Sequence, residues 1–199
     1  MSDFLFNVAK RKVEDRGHPP DAFLSELLAW ARTASDEIFA LNTESGDIYG
    51  LLRPILWPWQ GEPGSPEWVR HRKAALMEHM RVHAGFESSW KWGEGVDRTN
   101  KTSMAHIEGQ ETGIFQVSYD SLNLERGGKT LRDCIERFCG LHNIQRFIDT
   151  MKTNHAFALE YYARLVRIST RWAGPINRGE TQKEFRREAV AEFQALLAP

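Results

Sequence analysis

The chain has 199 residues and a net charge of −1, a length that suits one domain with a sizeable buried core. Its hydrophobic share of 41% and charged share of 27% are those of an ordinary soluble protein. A near-neutral balance withholds the basic stripe that marks a nucleic-acid binder, and no apolar run approaches the roughly 18 residues of a membrane span.

The N-terminus, Met1-Ser2-Asp3-Phe4-Leu5-Phe6, places an acid before its first hydrophobics and reaches Lys10-Arg11-Lys12 at once. This is not the order of a secretory signal, so synthesis in the cytoplasm without a signal peptide is expected. From Pro20 to Leu41, the residues Phe23, Leu27, Leu28, Ala31, Ala34, Ile38 and Leu41 recur at helical spacing with Asp21 in the first turn. Asn42 to Gly46 reads as a turn, and Ile48 to Leu56 as a short helix or apolar segment. A proline- and glycine-rich loop follows, from Trp57 to Gly64. Its tryptophans, Trp57 and Trp59, either offer faces for stacking on a ligand or cap the core beneath, and capping carries the greater weight.

The next helix is marked by Ser65 as N-cap, Pro66 at the first helical position and Glu67 at the positive end of the dipole. Trp68, Ala75, Leu76, Met80 and Ala84 then repeat at helical spacing until Gly85, which is expected to stop the run. Glu87 therefore falls at or just past a helix C-terminus. The negative dipole end disfavours its ionised form, and the flanking Phe86, Trp90 and Trp92 desolvate it, so both effects raise its expected pKa. A carboxylic acid still protonated near neutral pH is what a general acid in glycoside cleavage needs.

The segment from Ala84 to Ser121 combines this carboxylate with aromatics, a polar glycine-rich run and Gly113-Ile114-Phe115-Gln116-Val117-Ser118, and it reads as a cleft. Beyond it, Leu131, Ile135, Phe138, Ile144, Phe147, Ile148 and Met151 form an apolar helical face interrupted near Gly140. Phe157, Tyr161, Leu165 and Ile168 define another helix. After a Gly174-Pro175 turn, Thr181 is read as the cap of a last one carrying Phe185, Ala189, Phe193 and Leu196. Cys134 and Cys139, five residues apart, point about 140° from one another on a helix and read as two buried free thiols.

Glu87-Ser88 at a helix end, a glycine-rich excursion and then Gly113 to Ser118 resemble the Glu-Ser and Gly-Leu-Met-Gln-Ile/Val motifs of the lysozyme-like superfamily, in its branch of soluble lytic transglycosylases and goose-type lysozymes. Arg171-Trp172-Ala173-Gly174-Pro175-Ile176-Asn177 occupies the place of the family's Tyr-Asn-x-Gly segment. Trp or Arg stands where the family has Tyr, and the longer spacing from Glu87 to Gln116 implies an enlarged hairpin. The resemblance implies a mainly α, α+β lysozyme-like fold: a helical bundle around a cleft with a small β-hairpin excursion. It would form a single domain over 1–199, with 1–60 as a helical N-terminal extension and 66–178 as the catalytic core. It also implies a muramidase that cuts the β-1,4 bond between N-acetylmuramic acid and N-acetylglucosamine without a cofactor or metal. Glu87 would be the acid, with Gln116, Ser118, Tyr119, Trp90, Trp172 and Asn177 shaping the sugar subsites.

A hydrolase needs a second carboxylate. Glu94, Asp97, Glu108, Glu111 and Asp120 lie in or just after the excursion; Glu111 ranks first and Asp97 second. A lytic transglycosylase needs none, because the substrate's own 6-hydroxyl closes the ring. Chitin or chitosan on the same fold is the nearest alternative substrate, and a non-catalytic glycan-binding module the alternative of another class. Cell-wall action from the cytoplasm would call for a delivery partner, a holin or a secretion machine, with an immunity protein beside it.

Other chemistries fit less well. His79, His83 and Glu87 share one helix face at a spacing that can bind zinc, but Met80 stands where the zinc-protease pattern needs glutamate. Gly128-Lys129-Thr130 ends like a phosphate-binding loop, yet Asn123 replaces its first glycine, and no Gly-x-Ser-x-Gly turn occurs. Arg164, Arg167, Arg171 and Arg178 read as solvated in preference to a role in meeting substrate carboxylates.

Overall fold

Ser65 starts the central helix as its side chain accepts the N–H of Trp68 at 3.2 Å, with Pro66 following at the first helical position. In the computed structural model the described residues are 6–40, 46–56, 58–96, 105–124, 130–140, 143–170, 174–176 and 179–198. They are mainly helical and contain no strand. The α-helices are α1 (Asp21–Thr33), α2 (Ile48–Leu56), α3 (Pro66–Ser88), α4 (Thr130–Cys139), α5 (Ile144–Thr153), α6 (His155–Ile168) and α7 (Arg187–Leu196). None among the described residues is long and apolar enough to cross a membrane.

Helix α3 is buried along nearly its whole length. α7 runs against it over the greatest extent, while α1 lies against both α3 and α6, and α4 and α5 pack on α6. Phe23, Leu24, Leu27 and Leu28 of α1 belong to the same buried cluster as Met77 and Met80 of α3, Tyr161 of α6 and Phe193 of α7. The described residues among the first sixty thus share one core with the remainder of the described chain.

Two fully buried charges brace this core. Arg81 binds Glu78 through both nitrogens of its fork, at 2.6 and 2.7 Å, and Glu78 also accepts the Arg186 N–H at 2.9 Å, just before α7. The N-terminal segment is held by Glu192 of α7, whose carboxylate accepts the backbone N–H groups of Asn7, Val8 and Ala9 at 2.7–3.2 Å.

Three helix boundaries differ from the sequence expectation. The first helix ends at Thr33, and Asp36–Ile38 continues as a 3-10 turn. Gly85 does not stop α3, which runs on to Ser88. Gly85 is there because the Trp90 ring lies on it: a Cβ would come within 2.7 Å of Cζ2 of Trp90. Thr181 begins a 3-10 turn, Thr181–Glu184, rather than capping α7, and its buried hydroxyl has no hydrogen-bond partner among the described residues. Cys134 and Cys139 are free and buried. Trp59 packs edge-on against Tyr49 and His71, so it caps the core. Trp57, the turn at Asn42 to Ser45 and Gly127 to Lys129 lie outside the described residues.

Candidate active site

Glu87 lies in the last turn of α3, with its side chain 17% exposed. The helix closes where Ser89 and Trp90 both turn into the left-handed region, at φ 52° and 60°, and Trp90 N–H reaches back to the Ala84 carbonyl at 3.1 Å. An aromatic residue adopts that conformation only under constraint. Here the indole N–H of Trp90 donates to the Arg81 carbonyl at 2.8 Å. Trp90 is therefore 5% exposed and supports the helix end from behind. This corrects the expectation that it presents a face to a sugar. Trp92 is also engaged, stacked on His155 with ring centres 3.8 Å apart.

The aromatic groups that bear on Glu87 come from elsewhere. His83 and Tyr162 stack at 5.1 Å, Tyr162 and Phe115 at 4.0 Å, and His79 lies on His83 at 5.4 Å. The His79 Nε2 and the Tyr162 hydroxyl are 2.7 Å apart. Both histidines are fully buried. Burial pushes His83 down to about 3, and His79 well below its ordinary value, with the neighbouring His83 adding to the effect. Burial raises Tyr162 well above 10, assisted by the charge of Glu87. Nε2 of His83 stands 3.5 Å from Oε1 of Glu87. This is a contact between a carboxyl group and a neutral ring. The two histidines of the face weighed as a zinc site thus belong to an aromatic stack, and His79 is tied to Tyr162 within it.

Ser88 connects this helix end to the glutamine segment. Its hydroxyl lies 2.8 Å from the Ile114 carbonyl and 3.1 Å from that of Ala84, and it accepts Lys91 N–H at 3.2 Å. The segment is a tight turn, closed by paired bonds between Thr112 and Val117 at 3.1–3.2 Å. Gly113 has φ 72°, and a Cβ there would meet the Met151 carbonyl at 2.9 Å, so no other residue fits against α5. Gln116 is also left-handed, at φ 47°. Its side-chain amide donates to the Gly113 carbonyl at 2.9 Å, which holds the turn in shape.

A cleft of about 250 Å³ opens beside this turn, and Glu111, Gln116, Ser118 and Asp120 share its wall with Leu165 of α6. Four of the candidates from sequence, Glu111, Gln116, Ser118 and Asp120, thus meet in one place. Tyr119 turns its ring edge-on to Phe147 at 5.5 Å, and its hydroxyl is raised chiefly by burial. Asp97, Trp172 and Asn177 lie outside the described residues, as do Arg171 and Arg178.

A larger cavity, about 570 Å³, lies around Arg137, Arg164, Arg167 and Asp133. Arg164 pairs with Glu160 at 2.9 Å and with Glu37 at 3.1 Å, and Arg167 with Asp47 at 2.8 Å. Their side chains are only 10% and 8% exposed, so these arginines are structural ion pairs rather than the solvated charges expected from sequence.

His83, Tyr162 and Phe115 are the site residues that sequence reasoning missed. The signal for His83 was its place one turn before Glu87, and that for Phe115 its place one residue before Gln116 in the Gly113–Ser118 segment; Tyr162 carried none, because only tertiary packing brings it there. No protein-family model, no curated protein and no solved structure matches the chain.

Proposed function

We propose that this chain is a peptidoglycan-cleaving glycosidase, a muramidase of lysozyme or lytic-transglycosylase type on a lysozyme-like α+β fold, with Glu87 as its general acid. The observation that carries the reading is the Ser88–Ile114 bond at 2.8 Å. It joins the helix end bearing an enclosed carboxyl to the tight turn bearing Gln116, the same two motifs on which the resemblance rests. In this reading the turn closed by Thr112 and Val117 is the tip of the family's hairpin.

Glu87 would protonate the leaving oxygen as the bond to the anomeric carbon breaks and an oxocarbenium-like centre develops. Two fates of that centre are chemically open. The 6-hydroxyl of the same sugar closes on it and returns its proton to the ionised Glu87, giving an anhydro product; or a carboxylate, with Glu111 first and Asp97 second, activates a water. Gln116 and Ser118 would contact the sugar from the cleft wall, with Tyr119, Trp172 and Asn177 completing the subsites. Action would follow delivery from the cytoplasm to the cell wall by a holin or a secretion machine, with an immunity protein as a further partner.

The test is digestion of purified peptidoglycan with mass analysis of the soluble fragments. Disaccharide-peptide release is expected; reducing ends assign a water-activating carboxylate, and anhydro ends remove the need for one. No release from peptidoglycan, with release from chitin or chitosan, moves the substrate class, and binding without cleavage of any of them replaces the reading by a glycan-binding module.

A further inference from the structure

An acid that protonates a leaving group must hold its proton on the oxygen facing the substrate, and an isolated carboxyl group does not distinguish its two oxygens. In this protein an imidazole stands beside one of the two. His83 lies one turn before Glu87 on α3, with Nε2 3.5 Å from Oε1. Its ring has little freedom to turn: His79 lies over it at 27°, and Tyr162 and Phe115 lie near-parallel to it at 20° each, with centres 5.1–6.4 Å away. His79 and Tyr162 are themselves tied together.

We propose that His83 is a positioning residue for Glu87: it carries its proton on Nε2 and directs that N–H at Oε1, so that Oε1 is the carbonyl-type oxygen and the transferable proton resides on Oε2. The inference rests on the reading of Glu87 as the acid. The 3.5 Å separation is longer than a formed hydrogen bond, and it shortens when substrate fills the site, as such contacts do in a reactive complex.

The choice of residue type follows from charge. An arginine or lysine at this place would orient the carboxyl equally well but hold it ionised, and an ionised carboxylate has no proton to give. A buried imidazole donates an N–H without a charge, because burial keeps it neutral. The other titratable groups in the stack, His79 and Tyr162, are held neutral by burial as well. The aromatic stack therefore supplies direction to Glu87 without a cation.

Long-range proton–nitrogen correlation on the 15N-labelled protein at neutral pH reads the tautomer directly. A protonated Nε2 and a bare Nδ1 on His83 are expected, and the reverse assignment overturns the proposal. The kinetic counterpart uses His83→Phe, which keeps a ring in the stack but has no N–H, and His83→Gln, whose amide nitrogen has the reach of Nε2. His83→Phe should lose about tenfold to a hundredfold in kcat with KM changed less than about twofold, and His83→Gln should recover part of the loss. Unchanged kcat in a folded His83→Phe, checked by circular dichroism, overturns the proposal. If the wild-type protein cleaves no peptidoglycan, the muramidase reading falls, and the nitrogen spectrum alone then supports or overturns the assignment of His83.

Discussion

The side-chain oxygen of Ser88 and the carbonyl of Ile114 lie 2.8 Å apart, and this bond fastens the residue after Glu87 to the turn that carries Gln116. Ser88 is buried, and its loss would strip a buried carbonyl of its donor at a cost of about 1–3 kcal/mol. Ser88→Ala is expected to lose stability of that order in urea unfolding and to lower turnover of peptidoglycan as well. A variant with both unchanged would show that the two segments do not depend on this bond.

Gly85→Ala sets helix propensity against packing. Alanine is favoured over glycine inside a helix by about 1 kcal/mol, but its Cβ would come within 2.7 Å of the Trp90 ring. That ring is pinned by its bond to the Arg81 carbonyl, so it cannot swing away without losing the bond. Overpacking of this kind costs about 1–3 kcal/mol, and the variant is expected to melt below the wild type. A rise in melting temperature would mean that Trp90 yields freely.

Glu192→Ala removes the acceptor of three consecutive backbone N–H groups, those of Asn7, Val8 and Ala9. Hydrogen exchange should accelerate at residues 7–9 while α3 stays protected, because Phe6 still packs on Phe193. Unchanged exchange at these amides would show that the carboxylate does not hold the segment.

Stability should fall as the medium turns acid. Unfolded histidines take up a proton near pH 6.5; folded His83 does so only near 3 and His79 well below its ordinary value, both through burial. His71, lowered chiefly by burial against the opposing charge of Glu67, acts in the same direction. The unfolded chain thus binds more protons than the folded one below about pH 6.5, and His83 alone removes about 1.4 kcal/mol per pH unit between there and about pH 3, with His79 acting in the same direction. Urea midpoints should drop between pH 7 and pH 5, and drop less in His83→Gln. Equal midpoints at the two pH values would contradict the buried, neutral state.

Local chemistry made much of this fold readable. The Ser65-Pro66-Glu67 start of α3 follows from cap geometry alone, and the apolar spacing around Phe157 and Tyr161 located α6. What failed was decided by contacts that helical periodicity does not show, some of them local fold-backs and some between distant segments. Gly85 looked like a stop because nothing nearby in sequence shows that Trp90 folds back onto it. The same fold-back hides Trp90 from the cleft. Arg167 looked solvated because its partner, Asp47, belongs to a distant segment, and Arg164 because Glu37 joins its same-helix partner Glu160 only in the folded chain. Glu111, Gln116 and Ser118 met in one cleft because a six-residue turn keeps them together.

The most direct test of the account is the replacement Glu87→Gln, which keeps the shape of the side chain and removes its proton. Wild-type protein and the variant are incubated with purified peptidoglycan under identical conditions, and soluble fragments are quantified by mass spectrometry, with circular dichroism confirming that both are folded. Fragment release by the wild type, reduced to background in the variant, is the predicted result. Equal release by the two proteins would contradict the assignment of Glu87 as the general acid.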